Sequence, residues 1–476
     1  MMRKLHKVIF LLLCITFLPF NGLDGWTAYD RRTPIVEAVD KVLPAVVNIS
    51  TSKDITVPLF RHGIRSPFDD IFDDLFERTY HVEGLGSGVV VEGGYVITNN
   101  HVIEYDYGVA DKIYVTLQND NERHEAIVVG SDPKADVAVL KILGEPVKKY
   151  LKWGRSDDLM IGETVIAIGN ALGQPFTVTT GIISALNRVI QTGDGRKFHS
   201  LIQTNADINQ GNSGGPLVNI NGEFIGLNTA IMSPTGASVG LGFAIPVSRV
   251  KRVYEYWVNG VISLEDQIGL ELQDLDAHLT EFFKSYYPAL QKQNLSGVVV
   301  LEVKKTGLGN KYLQRRDIIT AVDQKPVKNV TDFLNRLEEH RGPMLSVNII
   351  RDGTAKTFLI PVPDMKVEKY SWAGMVLQTL DNPWRRWFGL QDDDAGVVVL
   401  SVNRESPVNG NIQRGDLILG INEQSIKNLD DLRRAIQADS RSRYININTL
   451  RLKEKRKNQP RKWDRRTVRM ALEPTL

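Results

Sequence analysis

The C-terminal half of this chain repeats itself. Gly297-Val298-Val299-Val300-Leu301 recurs as Gly396-Val397-Val398-Val399-Leu400, Asp317-Ile318-Ile319 as Asp416-Leu417-Ile418, and Val327-Lys328-Asn329 as Ile426-Lys427-Asn428, each pair 99 positions apart. A constant offset over this span requires two tandem domains of one fold, because a solenoid repeat runs only about 20 to 50 residues. Each copy reads as strands, a helix opening near Thr331 or Asp430, and strands again, an α+β unit. Residues 261–365 and 366–476 are thereby assigned, and residues 26–260 must hold a different domain. Three domains suit a chain of 476 residues. An apolar content of 42% against 24% charged residues is enough for each to bury its own core.

Residues 1–25 read as a targeting segment. Arg3, Lys4 and Lys7 form a positive start, Val8 to Phe20 are mostly apolar, and Asn21 to Gly25 make a small polar exit. That is the outline of a secretory signal peptide, with an apolar core too short for a comfortable transmembrane helix. The only cysteine, Cys14, lies inside it, so the mature chain has neither a disulfide framework nor a cysteine metal site. Removing the segment takes away three basic residues and one acidic, which leaves the mature chain formally neutral. Net charge therefore argues for no nucleic-acid partner.

From about Ala45 to Pro246 the chain reads as short strands punctuated by glycine. Ile113, Val115 and Leu117 alternate with Tyr114, Thr116 and Gln118, the period of a half-buried strand. Asn221-Gly222 between two apolar runs predicts a tight hairpin. Many short strands over this length predict barrels or a sandwich. A helix capped by Ser248, with Val250, Val253, Tyr254 and Trp257 on one face, closes the region at Asn259-Gly260. The acidic and aromatic stretch Pro58 to Glu77 interrupts the pattern, and its phenylalanines favour docking on another subunit over a solvated loop.

The chemistry centres on Gly211-Asn212-Ser213-Gly214-Gly215-Pro216-Leu217, which sets a serine in a turn whose backbone N–H groups can converge on an oxyanion. A serine hydroxyl needs a base to become a nucleophile, and His101, directly after the strand-like Tyr95-Val96-Ile97, is the histidine in the best context. Asp136 opens the apolar run Val137 to Leu140, where a buried carboxylate needs a partner such as an imidazole; Asp106, Asp111 and Asp132 compete from looser surroundings. The implied roles are Ser213 as nucleophile, His101 as proton carrier, Asp136 as the group that fixes its tautomer, and the N–H groups of Gly211 and Ser213 as the oxyanion hole. The order His, Asp, Ser is that of chymotrypsin-type double barrels. No cofactor or metal is called for.

Thr98-Asn99-Asn100-His101-Val102, Ser131-Asp132-Pro133 with Ala135 to Ile142, Gly211 to Leu217, and Gly240-Leu241-Gly242-Phe243-Ala244-Ile245-Pro246 together resemble the HtrA/Deg serine endoproteases, and the resemblance covers essentially the whole mature chain. It implies a mainly β protein, a chymotrypsin-like double β-barrel protease domain followed by two PDZ domains. It also implies an ATP-independent periplasmic protease of misfolded polypeptides, built from homotrimers or larger assemblies, with a binding protein or chaperone of suppressed catalysis as the alternative. The chain contains no Gly-x-x-x-x-Gly-Lys-Ser/Thr loop, in keeping with ATP independence. By the same resemblance Pro58 to Glu77 is the subunit-contact loop, and Ile208, Ile231 and Leu241 line a small apolar specificity pocket. Ile268-Gly269-Leu270 and Ala373-Gly374-Met375 stand where PDZ domains bind a terminal carboxylate. Arg316-Asp317 departs from the Gly-Asp kept at Gly415-Asp416. The basic stretch Lys453 to Arg466 reads first as a solvated hairpin loop, with Trp463 as the residue that would support contact with an anionic membrane surface, an acidic substrate or nucleic acid.

Overall fold

The computed structural model describes residues 31–471 apart from 59–76, 106–107, 119–121, 145–146, 170–175, 192–196, 210, 230–239, 364–365, 392, 404, 440–442 and 455–461. The leader, most of Pro58 to Glu77, Ile231 and the middle of the basic stretch lie outside the described residues.

Helix α1 (Pro34–Val42) starts where Thr33 accepts the Val36 N–H and proline occupies the first turn. Strands β1 (Val46–Pro58), β2 (Glu77–Val91), β3 (Tyr95–Thr98), β4 (Lys112–Leu117), β5 (His124–Asp132) and β6 (Val137–Ile142) close a barrel in the order β1-β2-β3-β6-β5-β4, with the one-turn helix α2 (Asn100–Ile103) following β3. A second barrel, in the order β8-β9-β12-β11-β10-β7, is built from β7 (Thr164–Gly169), β8 (Thr177–Gln191), β9 (Lys197–Thr204), β10 (Pro216–Asn219), β11 (Phe224–Thr229) and β12 (Gly242–Pro246).

The apolar runs are continuous because both faces of several strands are buried. Along β6, Val137 and Val139 join a core shared with Ile166, Ile168, Phe224 and Leu227 of the second barrel, while Ala138 and Leu140 fill the first barrel with Ile49, Val96 and Val115. Side chains alternate across a strand, so a strand wedged between two cores has no polar face. One hydrophobic layer thus clamps the barrels together, and the chain segments bearing His101, Asp136 and Ser213 lie at that seam. Helix α3 (Val247–Tyr254) covers the seam, and its Tyr254 packs on Trp153, which stacks on Phe224. Ser248 is not its cap: the helix opens one residue earlier, and the Ser248 N–H is taken by the Ser156 hydroxyl. The helix runs on through a wider turn to Gly260, whose φ of +70° ends it as expected.

The repeat folds as two like units. The first contains α4 (Leu264–Ile268), β13 (Leu270–Asp274), β14 (Val298–Val303), β15 (Ile318–Val322), α5 (Val330–Glu339), β16 (Met344–Arg351) and β17 (Thr354–Pro361). The second contains β18 (Lys369–Trp372), β19 (Met375–Thr379), α6 (Asn382–Phe388), β20 (Val397–Val402), β21 (Leu417–Ile421), α7 (Leu429–Ala438), β22 (Tyr444–Glu454) and β23 (Lys462–Ala471). The repeated motifs now have physical jobs. Asn329 and Asn428 cap α5 and α7 by accepting the N–H three residues on. Asp317 and Asp416, each only 1% exposed, are clasped through two oxygens by Arg351 and Arg451.

The second unit packs on the first barrel. Trp257 meets Trp384 and Trp387 edge to face at 4.8 and 5.2 Å, and Gly130 leaves the space that the Trp257 ring fills. Arg386 from α6 bonds Asp132 of β5 and Asp266 of α4, which joins all three units. Trp463 packs edge to face with Phe388 at 5.8 Å and is partly buried against the core that holds Trp384 and Phe388.

Candidate active site

His101 sits in the single turn α2, held at the end of β3 by the buried residues Thr98, Asn99 and Asn100. Asp136 adopts φ +56°, a left-handed conformation tolerated by Asp, and its carbonyl accepts the Asn99 side-chain N–H at 3.0 Å. This twist turns its carboxylate back toward α2. Oδ1 accepts the His101 backbone N–H at 3.0 Å, and the ring Nδ1–H donates to Oδ2 at 2.8 Å and approaches Oδ1 at 3.1 Å. Thr229, from the second barrel, donates to Oδ2 at 3.3 Å. The Asp136 side chain is 6% exposed and that of His101 46%, so a buried acceptor anchors the inner nitrogen while the imidazole reaches outward. That pairing fixes the proton on Nδ1 and leaves Nε2 to accept one.

The competing carboxylates have other work. Asp132 accepts the N–H groups of Lys134 and Ala135 and pairs with Arg386. Asp111 pairs with Lys53, and Asp106 lies outside the described residues.

The serine turn is locked by bonds that its glycines make possible. The Ser87 hydroxyl donates to the Gly211 carbonyl at 2.6 Å and the Ser87 N–H to the Ser213 carbonyl at 2.9 Å. Gly214 donates to Asn228, and Asn212 to Asn209, each at 3.0 Å. A side chain on Gly214, which has φ +84°, would lie 2.2 Å from the Ser87 carbonyl and 2.3 Å from Thr98 Oγ1; one on Gly215 would lie 2.1 Å from the Ile168 carbonyl. Glycine is required because the turn threads between the two barrels, against the chain that leads into His101. The fully buried Ser87 is missing from the sequence reading, and Gly86-Ser87-Gly88 is the available signal: a polar residue among glycines within an apolar strand.

Comparison with known proteins agrees. Residues 86–227 match the trypsin-like peptidase domain family, and residues 267–362 and 386–460 the PDZ domain family. The chain is 35% identical to a probable periplasmic serine endoprotease, DegP-like, of Chlamydia trachomatis, over 83% of this chain and 82% of the relative. It is 31% identical to the periplasmic pH-dependent serine endoprotease DegQ of Escherichia coli, over 90% of this chain and 92% of that one. The chain belongs to the HtrA-type serine endoproteases. Among solved structures, a variant of the HtrA-type protease AlgW with a decapeptide matches at a TM-score of 0.51 and 33% identity, covering 69% of this chain and 96% of that chain. The protease reading therefore stands over the chaperone alternative.

In this HtrA-type protease the remaining predicted residues occupy varied surroundings, and Gly242, next to Leu241, lies against Ile208. Ile208 is buried among Val165, Ala167, Ile183 and Leu217 inside the second barrel, whereas Leu241 is 49% exposed and Ile231 lies outside the described residues. Ile268 is core, Gly269 ends α4 with φ +67°, and Leu270 opens β13. Ala373 and Gly374 form the turn between β18 and β19, and Met375 is fully buried. Arg316 takes φ +74° where Gly415 has +86°, so the first unit keeps the loop shape with a residue that is strained in it.

Proposed function

We propose that Ser213, His101 and Asp136 are the catalytic triad of this serine endoprotease. Ser213 Oγ attacks the scissile carbonyl as His101 Nε2 removes its proton, and the carboxylate of Asp136 stabilises the resulting imidazolium. The N–H groups of Gly211 and Ser213 hold the oxyanion, His101 returns the proton to the leaving amine, and water then releases the acyl group. The observation that carries this reading is the Nδ1–Asp136 bond at the same seam where Ser87 pins the serine turn. Ile208, Ile231 and Leu241 frame a small apolar pocket that favours valine- or isoleucine-like residues.

The substrates are unfolded or misfolded polypeptides in the periplasm, reached after a leader at residues 1–25 is used for export. The protease domain spans 26–260, and PDZ units at 261–365 and 366–476 deliver chains to it. The working form is a homotrimer or a larger homo-oligomer. The periplasmic names of the relatives support the location and the peptide in the AlgW structure supports a polypeptide substrate, while the leader, the domain bounds and the oligomer rest on the sequence and its resemblance. The test compares hydrolysis of an unfolded protein and of the same protein folded, by the parent and by Ser213→Ala. Hydrolysis of the unfolded form by the parent alone is expected, and equal hydrolysis by Ser213→Ala would overturn the assignment.

A further inference from the structure

The two PDZ units differ at the edge of the sheet. In each, a left-handed glycine precedes an edge-forming strand, and its carbonyl accepts an N–H from the end of the next strand: Gly269 from Lys304, Gly374 from Asn403, both at 2.8 Å. Strands β13 and β19 therefore start from equivalent points. In the first unit the residues before the glycine form helix α4, and among the described residues β13 has one ladder partner, β14. In the second unit they form β18, which pairs with the outer edge of β19 through Lys369↔Gln378, Tyr370↔Leu377, Ser371↔Val376 and Trp372↔Met375. Ala373 and Gly374, at φ +50° and +71°, make the connecting turn, the two left-handed residues that a tight hairpin demands.

That edge is where a PDZ domain adds a ligand strand. Strand β18 treats it so. Tyr370 and Trp372 are half-buried against the core that contains Met375, Leu377 and Leu432, whereas Lys369 and Ser371 are exposed. From the other side, α7 supplies Arg433, whose guanidinium lies 5.0 Å over the Tyr370 ring and which also pairs with Glu368. The segment is gripped by a strand on one side and a helix on the other, the two walls of a peptide groove.

We propose that Glu368 to Trp372 is the resident ligand of the second PDZ groove, and that this groove reads an internal aromatic strand, Tyr-x-Trp, in place of a chain terminus. The strand continues into the turn without a carboxylate, and the loop expected at Ala373 to Met375 to bind one is used as that turn. Capture of free C-termini then belongs to the first unit alone, the one point at which this inference rests on the delivery reading above. A tethered strand competes at an effective concentration in the millimolar range, so ordinary peptides do not displace it.

The test uses the full chain with Ser213→Ala and Cys14→Ser, which removes hydrolysis and the only native thiol, so failure here is distinct from failure of the protease reading. In this background Ser371→Cys with Val376→Cys joins directly opposed positions. A disulfide within one chain, identified by peptide mass, is expected; a link between chains would show instead that a second copy fills the groove and would overturn the proposal. Separately, an amidated peptide of residues 366–372 is titrated by fluorescence anisotropy. The parent should show no saturable binding, and Tyr370→Ala with Trp372→Ala should bind it at least ~10-fold more tightly. Equal binding by parent and variant would overturn the proposal, and if the aromatic variant fails to fold the cysteine pair decides.

Discussion

Replacing Ser87 by alanine should damage catalysis far more than stability. Its hydroxyl is fully buried and donates to the Gly211 carbonyl at 2.6 Å, while its N–H separately holds the Ser213 carbonyl and survives the substitution. Removing the hydroxyl leaves a buried carbonyl without its donor, at a cost of about 1–3 kcal/mol. The peptide joining Gly211 to Asn212 can escape that cost only by rotating, which also takes the Asn212 N–H off Asn209. Rotation would disturb the N–H groups proposed to hold the oxyanion, and losing one such donor costs about 10²–10³ in kcat. A turn that is only partly rotated should lose about 10–100-fold in kcat with KM little changed, while the melting temperature falls by a few degrees. Thr98→Ala is the control, because Thr98 lies against Gly214 but its hydroxyl bonds the Ser87 carbonyl at 2.7 Å and not a carbonyl of the turn. It should lower stability by a similar amount and kcat much less. The assay is steady-state cleavage of a chromogenic peptide beside thermal unfolding. If Ser87→Ala retained kcat within about twofold of the parent at the expected stability loss, the hydroxyl would not be holding the catalytic turn.

Three further outcomes follow from the geometry. Asp136→Asn should lower kcat by about 10⁴-fold with the fold intact, because an amide N–H facing Nδ1 favours the wrong tautomer; kinetics beside circular dichroism check it. Arg451→Ala should destabilise the second PDZ unit by about 3 kcal/mol or more, since it strands the buried Asp416, and denaturant unfolding reads the change. The third concerns pH. Burial raises the Asp381 carboxyl from its ordinary 3.8 to about 6, against the Tyr256 hydroxyl and Trp384 N–H that bond it. Asp266 raises it further and Arg386 opposes that. Because the docked form holds the proton more tightly, Asp381 stabilises docking fully below 3.8 and loses that contribution as pH rises through about 6. Asp266 runs the other way: burial disfavours its ionised form, but Arg386 outweighs this and holds it at about 2, so its contribution is lost only in stronger acid. Thermal unfolding should therefore show the second unit less firmly docked at about pH 7 than at about pH 5 by about 1 kcal/mol, and Asp381→Asn should abolish the difference.

Much of this was legible in the sequence because the informative residues are constrained locally. The tandem units were visible because their glycines, asparagine caps and buried aspartates each serve one backbone geometry, so they recur at the same offset. The barrels were visible as short apolar runs between glycines, and Asp136 could be preferred to Asp132 because it opens an apolar run that must be buried on at least one face. What stayed hidden depends on partners distant in the chain. Arg351 and Arg451 are ordinary basic residues until Asp317 and Asp416 arrive beside them. Ser87 looks like a strand residue until the serine turn, 124 positions away, supplies its acceptor. In the sequence Trp463 stands within a basic stretch, and only the pairing of β22 with β23 turns it onto Phe388. At Ala373-Gly374 the sequence gives no sign of the hairpin turn that the pairing of β18 with β19 makes there.

In the proposed triad Ser213 is a nucleophile activated by His101. Treating the parent and His101→Ala with a fluorophosphonate probe in the presence of an unfolded polypeptide, then locating the adduct by peptide mass, tests it directly. A single adduct on Ser213 is expected in the parent, with labelling slowed by orders of magnitude in His101→Ala. An unmodified Ser213 in the parent, or equal labelling of both proteins, would contradict it.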